Sequence, residues 1–309
     1  MTDDMKGKVT IVTGGGKGIG FGIATAFAKA KSNIVITGRT ESTLISAKEK
    51  LEKYGVEVLP ITADGGYEEQ VKEAVDKIIE KFGRIDVLIN NAQASKSGLQ
   101  LVEHTQEDFD LAIKSGIYAV FNFMKFTYPY LKETKGSVIN FASGAGLFGR
   151  DGQSSYAAAK EGIRGLSRVA ATEWGKDGIN INVVCPLVMT KQLEQWKAEY
   201  PELFEKTIQG IPLQRFGDAE KDIGGTCLFL ASDAASYISG ETITLQGGSG
   251  LRPWICDKLS INPHLLFLFE NVNVQNEMWI YNIQFLCFST WFSCYMFIII
   301  KYLSIFCII

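Results

Sequence analysis

The sequence predicts an α/β protein built on a doubly wound parallel sheet of seven strands. Short apolar runs alternate with helical patterns along the chain, which implies parallel strands joined by helical crossovers. A glycine-rich turn joins the first strand to the first helix. No linker or internal repeat interrupts the pattern before Gly250, so one domain carries the whole sheet.

The strands are predicted from short runs that are rich in β-branched residues. They cover residues 9–12, 33–37, 56–61, 86–90, 137–142, 179–185 and 242–245. Apolar residues predominate in most of these runs, as expected for strands that are covered by helices on both faces.

The helices are predicted from apolar residues that recur at helical spacing. The first helix places Ile19, Ile23 and Phe27 on one face, and the others cover residues 42–54, 68–82, 108–132, 155–176 and 222–232. The segment 68–82 is amphipathic, whereas 108–132 is apolar over most of its length.

Composition excludes several classes of function. The net charge of −3 leaves no basic stripe for nucleic acid. The six cysteines form no Cys-x-x-Cys pair and the two histidines have no partners at ligand spacing, so we predict no metal site. The polar start, Met1 to Lys8, is unlike a signal peptide and favours a cytoplasmic protein.

The turn after the first strand is the first candidate site. It consists of Gly14, Gly15, Gly16, Lys17, Gly18, Ile19 and Gly20. Glycines let a backbone approach a pyrophosphate, and the helix start offers free N–H groups. The spacing Gly-x-x-x-Gly-x-Gly differs from the commonest dinucleotide fingerprint, and a glycine turn without a ligand remains an alternative.

The second strand ends in Thr37-Gly38-Arg39, and its last residue bears on the choice of cofactor. An acidic residue near this point suits the ribose of NAD, whereas an arginine suits the 2′-phosphate of NADP. We therefore expect NADP, with NAD possible. Lys17 could add charge from the glycine turn, although for Lys17 alone a solvated surface cation is the favoured interpretation; Arg39, directly after the strand, is the stronger indication.

Ser143, Tyr156 and Lys160 are the candidate catalytic residues. Tyr156 and Lys160 are four apart in a predicted helix, so they share a face, and Ser143 follows the fifth strand. A nearby ammonium lowers the pKa of a tyrosine, which lets it exchange a proton near neutrality. The set suits hydride transfer to a ketone, with tyrosine protonating the oxygen and serine orienting it.

These motifs together resemble the short-chain dehydrogenase/reductase family, from about Lys6 to Gly250. The resemblance rests on the glycine turn, Asn90-Asn91-Ala92, Ser143 and Tyr156-Ala157-Ala158-Ala159-Lys160. It also rests on the strand end at Asn182 to Pro186 and on Gly247-Gly248. Much of the sequence is similar to 3-oxoacyl-carrier-protein reductases and related ketone reductases.

The resemblance implies a Rossmann-type fold, an NAD(P)-dependent oxidoreductase and a homotetramer. It implies that Tyr156 is the acid/base, that Ser143 contacts the carbonyl and that Lys160 holds the nicotinamide ribose. Asp64 and Asn91 are expected along the adenine and ribose half of the cofactor. Val188 and Thr190, after the sixth strand, are further expected cofactor contacts.

The sequence departs from the family at several positions. Gln93 replaces the glycine of Asn-Asn-Ala-Gly, and Gly116 aligns with an asparagine that is thought to hold a water in the proton relay. Leu187 replaces the glycine of the Pro-Gly after the sixth strand, and Gln246 replaces an aspartate. Because of these departures, the alternative function is that of a dinucleotide-binding sensor or scaffold with weak catalysis.

The segment 189–217 is predicted to form an amphipathic lid over an apolar substrate pocket. Its apolar residues are Leu193, Trp196, Tyr200, Phe204, Ile208, Ile211 and Leu213. They favour an apolar or medium-chain ketone or alcohol, and packing at a subunit contact is the alternative.

The composition changes after Pro253, so we divide the chain into a catalytic domain, 1–253, and a hydrophobic extension, 254–309. Residues 278–300 hold no charged residue and are long enough to span a bilayer. A membrane anchor is one interpretation. Polar interruptions and a composition typical of translated AT-rich non-coding DNA favour a gene-model artefact.

Overall fold

The computed structural model describes residues 5–250, apart from the side chains of residues 191 and 192, and confirms the predicted sheet. Seven parallel strands lie in the order β3-β2-β1-β4-β5-β6-β7. Their bounds are β1 Val9–Thr13, β2 Asn33–Gly38, β3 Val58–Thr62, β4 Val87–Asn90, β5 Ser137–Phe141, β6 Asn180–Pro186 and β7 Thr242–Leu245.

Helices connect these strands, as the periodicity predicts. They are α1 Gly18–Lys29, α2 Glu41–Leu51, α3 Glu68–Phe82, α4 Gln106–Ile113, α5 Ala119–Thr134, α6 Gly144–Phe148, α7 Ser154–Trp174, α8 Lys191–Glu199, α9 Pro201–Gln209 and α10 Gly225–Leu230. The helix predicted over 108–132 differs, because a π-helical turn, Lys114–Tyr118, separates α4 from α5. A second π turn, Ala219–Gly224, precedes α10.

Apolar side chains cover both faces of the sheet. On one face, Phe27 of α1 and Leu230 of α10 belong to the same buried cluster as Val12 of β1. On the other, Phe123 of α5 and Ile163 of α7 cluster with Ile11. Adjacent strand residues point to opposite faces, which is why β1 is buried along its whole length.

The strand order reverses direction at β1, which lies between β2 and β4. A chain that winds outward from this point in both directions opens a crevice beyond the carboxyl ends of β1 and β4. The glycine turn and Asn91 both lie there, directly after these two strands.

The predicted extension, 254–309, lies outside the described residues, as does the candidate span 278–300. The division into two domains therefore stays a prediction. Over residues 5–250, no helix is both long and apolar enough to cross a membrane.

Candidate active site

The glycine turn is packed so closely that side chains are excluded from it. A Cβ on Gly20 would lie 2.4 Å from the Gly14 carbonyl oxygen, and one on Gly15 would lie 2.5 Å from Ile36 Cγ2. Gly14 and Gly18 adopt φ values of +68° and +57°, which favour glycine. The turn thereby presents bare backbone at the start of α1.

The start of α1 fits a pyrophosphate. Lys17, the N-cap residue, makes no side-chain capping bond. The first N–H groups of the helix therefore remain available to donate hydrogen bonds to a ligand. The Lys17 side chain is exposed, whereas Ile19 packs against the core below the turn. Gly16 lies against α2, where a Cβ would approach Thr43 Cγ2 to 3.0 Å.

Thr13, at the end of β1, ties the turn to the end of β4. Its hydroxyl accepts hydrogen bonds from the backbone N–H groups of Asn91 and Ala92, both at 3.0 Å. The Asn91 side-chain amide donates to the Thr13 carbonyl oxygen, also at 3.0 Å. Asn91 is therefore held beside the turn, where a Cβ on Gly20 would lie 2.7 Å from its amide nitrogen.

A cleft of about 230 Å³ lies beyond the ends of β2 and β3. Its lining residues are Arg39, Asp64, Glu107, Asp110, Leu111, Lys114 and Ser115. The structure thus brings Arg39 and Asp64 together, as expected for the adenosine end of a dinucleotide. It also adds Lys114, whose Nζ lies 3.7 Å from the centre of the Tyr67 ring. Sequence reasoning missed Lys114, because no local pattern connects it to Arg39.

Ser143 and Tyr156 meet at the carboxyl end of β5. Ser143 caps α6, where its hydroxyl accepts a hydrogen bond from the Ala145 N–H at 3.1 Å. The Tyr156 hydroxyl, in the first turn of α7, is hydrogen-bonded to Ser143. Two hydroxyls in this arrangement can hold a carbonyl oxygen between them.

Lys160 lies one helical turn after Tyr156 and is buried. Its Nζ donates to the Phe141 carbonyl oxygen at 2.6 Å and lies 5.5 Å from the centre of the Tyr156 ring. Because an ammonium has three donors, further hydrogen bonds from Lys160 toward a ligand are available.

Burial shifts the pKa values of Tyr156 and Lys160. Burial raises the pKa of Tyr156, and the hydrogen bond from Ser143 offsets part of that rise. Burial also lowers the pKa of Lys160 to about 7, so this lysine carries only a partial charge near neutrality. The contact that lowers the pKa of Tyr156 is therefore the serine rather than the lysine expected from the sequence.

The predicted lid forms helices α8 and α9, with an apolar cluster beneath them. Phe204, Ile211 and Phe216 are buried, and Leu187, Met189, Leu193, Trp196 and Ile208 pack against them. Tyr200 and Leu213 differ from the prediction, since they are 52% and 65% exposed.

Val188 and Thr190 lie between β6 and the lid. Val188 is buried and bridges to Gly217, while Thr190 caps α8 by accepting a hydrogen bond from Leu193 N–H at 3.3 Å. Both residues therefore connect the end of the sheet to the lid. Among residues 5–250, no cluster of His, Cys, Asp and Glu is suited to a metal ion.

Comparison with known proteins decides the family. A family profile described as "Enoyl-(Acyl carrier protein) reductase", of the short-chain dehydrogenase type, matches residues 14–249. A 12alpha-hydroxysteroid dehydrogenase of Clostridium sp. is 63% identical over 254 residues, which cover 80% of this chain and 98% of the relative. The chain belongs to the short-chain dehydrogenase/reductase family.

Other relatives agree with this assignment. The 3-oxoacyl-[acyl-carrier-protein] reductase of Thermotoga maritima is 35% identical, covering 79% of this chain and 98% of the relative. The crystal structure of an NAD⁺-bound xylitol dehydrogenase has a TM-score of 0.75 at 26% identity, covering 80% of this chain and 100% of its own. A blue fluorescent protein from a metagenomic library, in complex with NADPH, has a TM-score of 0.73 at 29% identity, with 81% and 100% covered.

The protein is an NAD(P)-dependent oxidoreductase that transfers hydride between a nicotinamide dinucleotide and a secondary alcohol or ketone. The observed turn fits such a cofactor, because its bare backbone and free helix start accommodate a pyrophosphate. The predicted family, fold class and enzyme class are confirmed.

The lowered pKa of Lys160 predicts how the stability of the apoenzyme depends on pH. Between about pH 7 and 10.5, its ordinary value, the unfolded chain keeps a proton that the folded chain releases. The free energy of unfolding therefore rises with pH in this window, by at most about 1.4 kcal/mol per pH unit from this group. Lys160→Met should lose this rise, as measured by urea unfolding at a series of pH values. Identical pH dependence in both proteins would contradict the burial argument.

Proposed function

We propose that this enzyme is a hydroxysteroid dehydrogenase that oxidises a 12α-hydroxyl group, or reduces the corresponding ketone, with NADP(H). The observation that carries the proposal is the 63% identity to a 12alpha-hydroxysteroid dehydrogenase, which extends over 98% of that relative. The relative at 35% identity acts on a 3-oxoacyl group, so the nearer relative supports the steroid rather than an acyl chain.

The apolar cluster under the lid supports a bulky apolar substrate. Trp196 lies 5.9 Å from Phe204, and Phe204 lies 5.7 Å from Phe216, centre to centre. Rigid aromatic side chains bury a large area at little cost in conformational entropy. A fused-ring steroid suits an apolar lid better than a small polar sugar alcohol does.

The bound cofactor would extend from the glycine turn to the lid. Its proposed contacts are Gly14, Gly15, Gly16, Lys17, Gly18, Ile19, Gly20, Arg39, Asp64, Asn91, Tyr156, Lys160, Val188 and Thr190. When bound, the nicotinamide ring would accept the hydride in alcohol oxidation or donate it in ketone reduction. The protein supplies backbone donors for the pyrophosphate and the tie between Thr13 and Asn91 that fixes the crevice.

Ser143, Tyr156 and Lys160 are the proposed catalytic residues. In the direction of reduction, Tyr156 donates its proton to the carbonyl oxygen while Ser143 holds that oxygen. The raised pKa of Tyr156 keeps the phenol protonated and ready to donate at neutral pH. Lys160 holds the ribose with the donors that Phe141 leaves available and returns a proton to Tyr156.

The preference for NADP rests on the charges at the adenosine end. Arg39 and Lys114 both line the cleft there, and a planar guanidinium matches a phosphate well. Glu107 and Asp110 also line it, so the balance between phosphate and hydroxyl recognition depends on Arg39 directly following β2.

A homotetramer is proposed on the family resemblance and on exposed apolar side chains. Tyr118 in the π turn, Phe121 on α5 and Val169 on α7 are 55%, 42% and 57% exposed. Large apolar side chains on neighbouring helices are typical of subunit contacts.

The steroid proposal predicts discrimination between two closely related alcohols. The full chain should reduce NADP⁺ with a 3α,7α,12α-trihydroxysteroid and fail to do so with the 3α,7α-dihydroxysteroid that lacks only the 12α-hydroxyl. NADPH absorbance measures the rate, and mass spectrometry with NMR locates the new ketone. Equal rates with both steroids, or turnover confined to acyl thioesters, would contradict the proposal.

Arg39→Ala should lower the preference for NADPH over NADH. Losing a charge-assisted contact of about 1.5–3 kcal/mol predicts a fall of about 10- to 100-fold in the ratio of kcat/KM values for the two cofactors. Arg168→Ala removes an exposed arginine of α7 and serves as the control. An unchanged ratio in Arg39→Ala would rule out this residue as the phosphate contact.

A further inference from the structure

Lys114 lines the cleft at the adenosine end without forming an ion pair. It shares this cleft with Arg39, and neither cation pairs with a carboxylate within residues 5–250. Asp110 lies four residues before Lys114, which is the usual spacing of a helical ion pair. The ammonium does not take this partner, so its charge remains available to a ligand.

The ring of Tyr67 holds the ammonium instead. Lys114 Nζ lies 3.7 Å from the centre of this ring, which belongs to the residue directly before α3. The face of an aromatic ring attracts a cation through its quadrupole. Because the ring carries no net charge, it fixes the position of the ammonium without neutralising it.

The aliphatic part of the Lys114 side chain is packed against the loop that follows β3. A Cβ on Gly66 would lie 2.7 Å from Lys114 Cγ, so a side chain at position 66 would displace the lysine. The Gly66 N–H donates to Asp64 Oδ1 at 3.0 Å, and Asn122 Nδ2 donates to the Gly65 carbonyl oxygen at 2.9 Å. These contacts hold the loop in the conformation that receives Lys114.

The charges of the cleft show why a second cation matters there. Two cations, Arg39 and Lys114, face three carboxylates, those of Asp64, Glu107 and Asp110. A phosphate monoester carries close to two negative charges near neutral pH. Arg39 alone would leave such a phosphate beside three carboxylates, two of which belong to α4. Lys114, which directly follows α4, offsets this repulsion on the acidic side of the cleft.

We propose that Lys114 is a specificity-determining residue that binds the 2′-phosphate of NADP together with Arg39, and that Tyr67 is the positioning residue that holds its ammonium. The inference rests on the proposed preference for NADP. Arg39 comes from the end of β2 and Lys114 from the start of the π turn, so two separate elements contact the phosphate. The planar guanidinium fixes its orientation, and the ammonium adds charge.

The direct test compares two fragments of the cofactor on the full chain, by isothermal titration calorimetry. Adenosine 2′,5′-bisphosphate carries the 2′-phosphate, and adenosine 5′-monophosphate lacks only that group. Lys114→Met keeps the aliphatic packing on Gly66 and removes the ammonium. We expect the ratio of the two dissociation constants to fall about tenfold in this variant, through weaker binding of the bisphosphate alone.

Two further variants separate recognition of the phosphate from packing and from overall charge. Lys114→Arg retains a cation and should keep most of the preference for the bisphosphate. Lys77→Met removes an exposed lysine of α3 that does not line the cleft, and should leave the ratio unchanged. An unchanged ratio in Lys114→Met, or equal weakening of both fragments, would show that Lys114 only packs and would overturn the inference.

The positioning role of Tyr67 has its own pair of variants. Tyr67→Phe keeps the aromatic face and should retain the preference for the bisphosphate. Tyr67→Leu removes the face, and we expect it to lower the ratio about threefold, because the ammonium is no longer held in place. Equal ratios in the two variants would contradict a role for the ring.

The same titrations separate this inference from the proposed cofactor preference, and they do not depend on the steroid. A wild type that binds both fragments equally would refute the preference for NADP and the inference with it. A wild-type preference that survives in Lys114→Met would refute only the inference. With Arg39→Ala and Lys114→Met combined, three carboxylates face the phosphate alone, so we expect the monophosphate to bind more tightly than the bisphosphate.

Discussion

The hydroxyl of Thr13 is the contact on which the site depends, because it joins the two strands where the sheet changes direction. It accepts from the backbone of Asn91 and Ala92, while Asn91 returns a bond to the Thr13 carbonyl. This tie fixes the floor of the crevice between β1 and β4. The glycine turn lies on one side of it and Gln93 on the other, so both segments share one support.

The second constraint is the exclusion of water around Lys160. Burial raises the pKa of Tyr156 and lowers that of Lys160, because it disfavours the charged form of each group. The phenol stays protonated for donation, and the lysine can lose its proton at moderate pH. A lysine this deep requires an acceptor, which Phe141 provides, and a route for its proton.

The structural features that the sequence predicts are those that depend on residues close together in the chain. Apolar runs place all seven strands, the glycine spacing marks the phosphate turn, and the interval of four residues puts Tyr156 and Lys160 on one helical face. Contacts between distant segments leave no such pattern. The π turn at Lys114–Tyr118 packs against α7, and it meets the loop that carries Gln93 at Gly116. Sequence alone gives Gln93 and Gly116 as separate departures from the family pattern.

The most direct test of the central claim is a single turnover of NADPH oxidation by Tyr156→Phe in the presence of a ketone that the wild type reduces. Phenylalanine preserves the packing and removes only the proton donor. The account predicts that hydride transfer slows by about 10²- to 10⁴-fold while NADPH binds with nearly unchanged affinity. Transfer at a rate close to that of the wild type would contradict the assignment of Tyr156 as the acid.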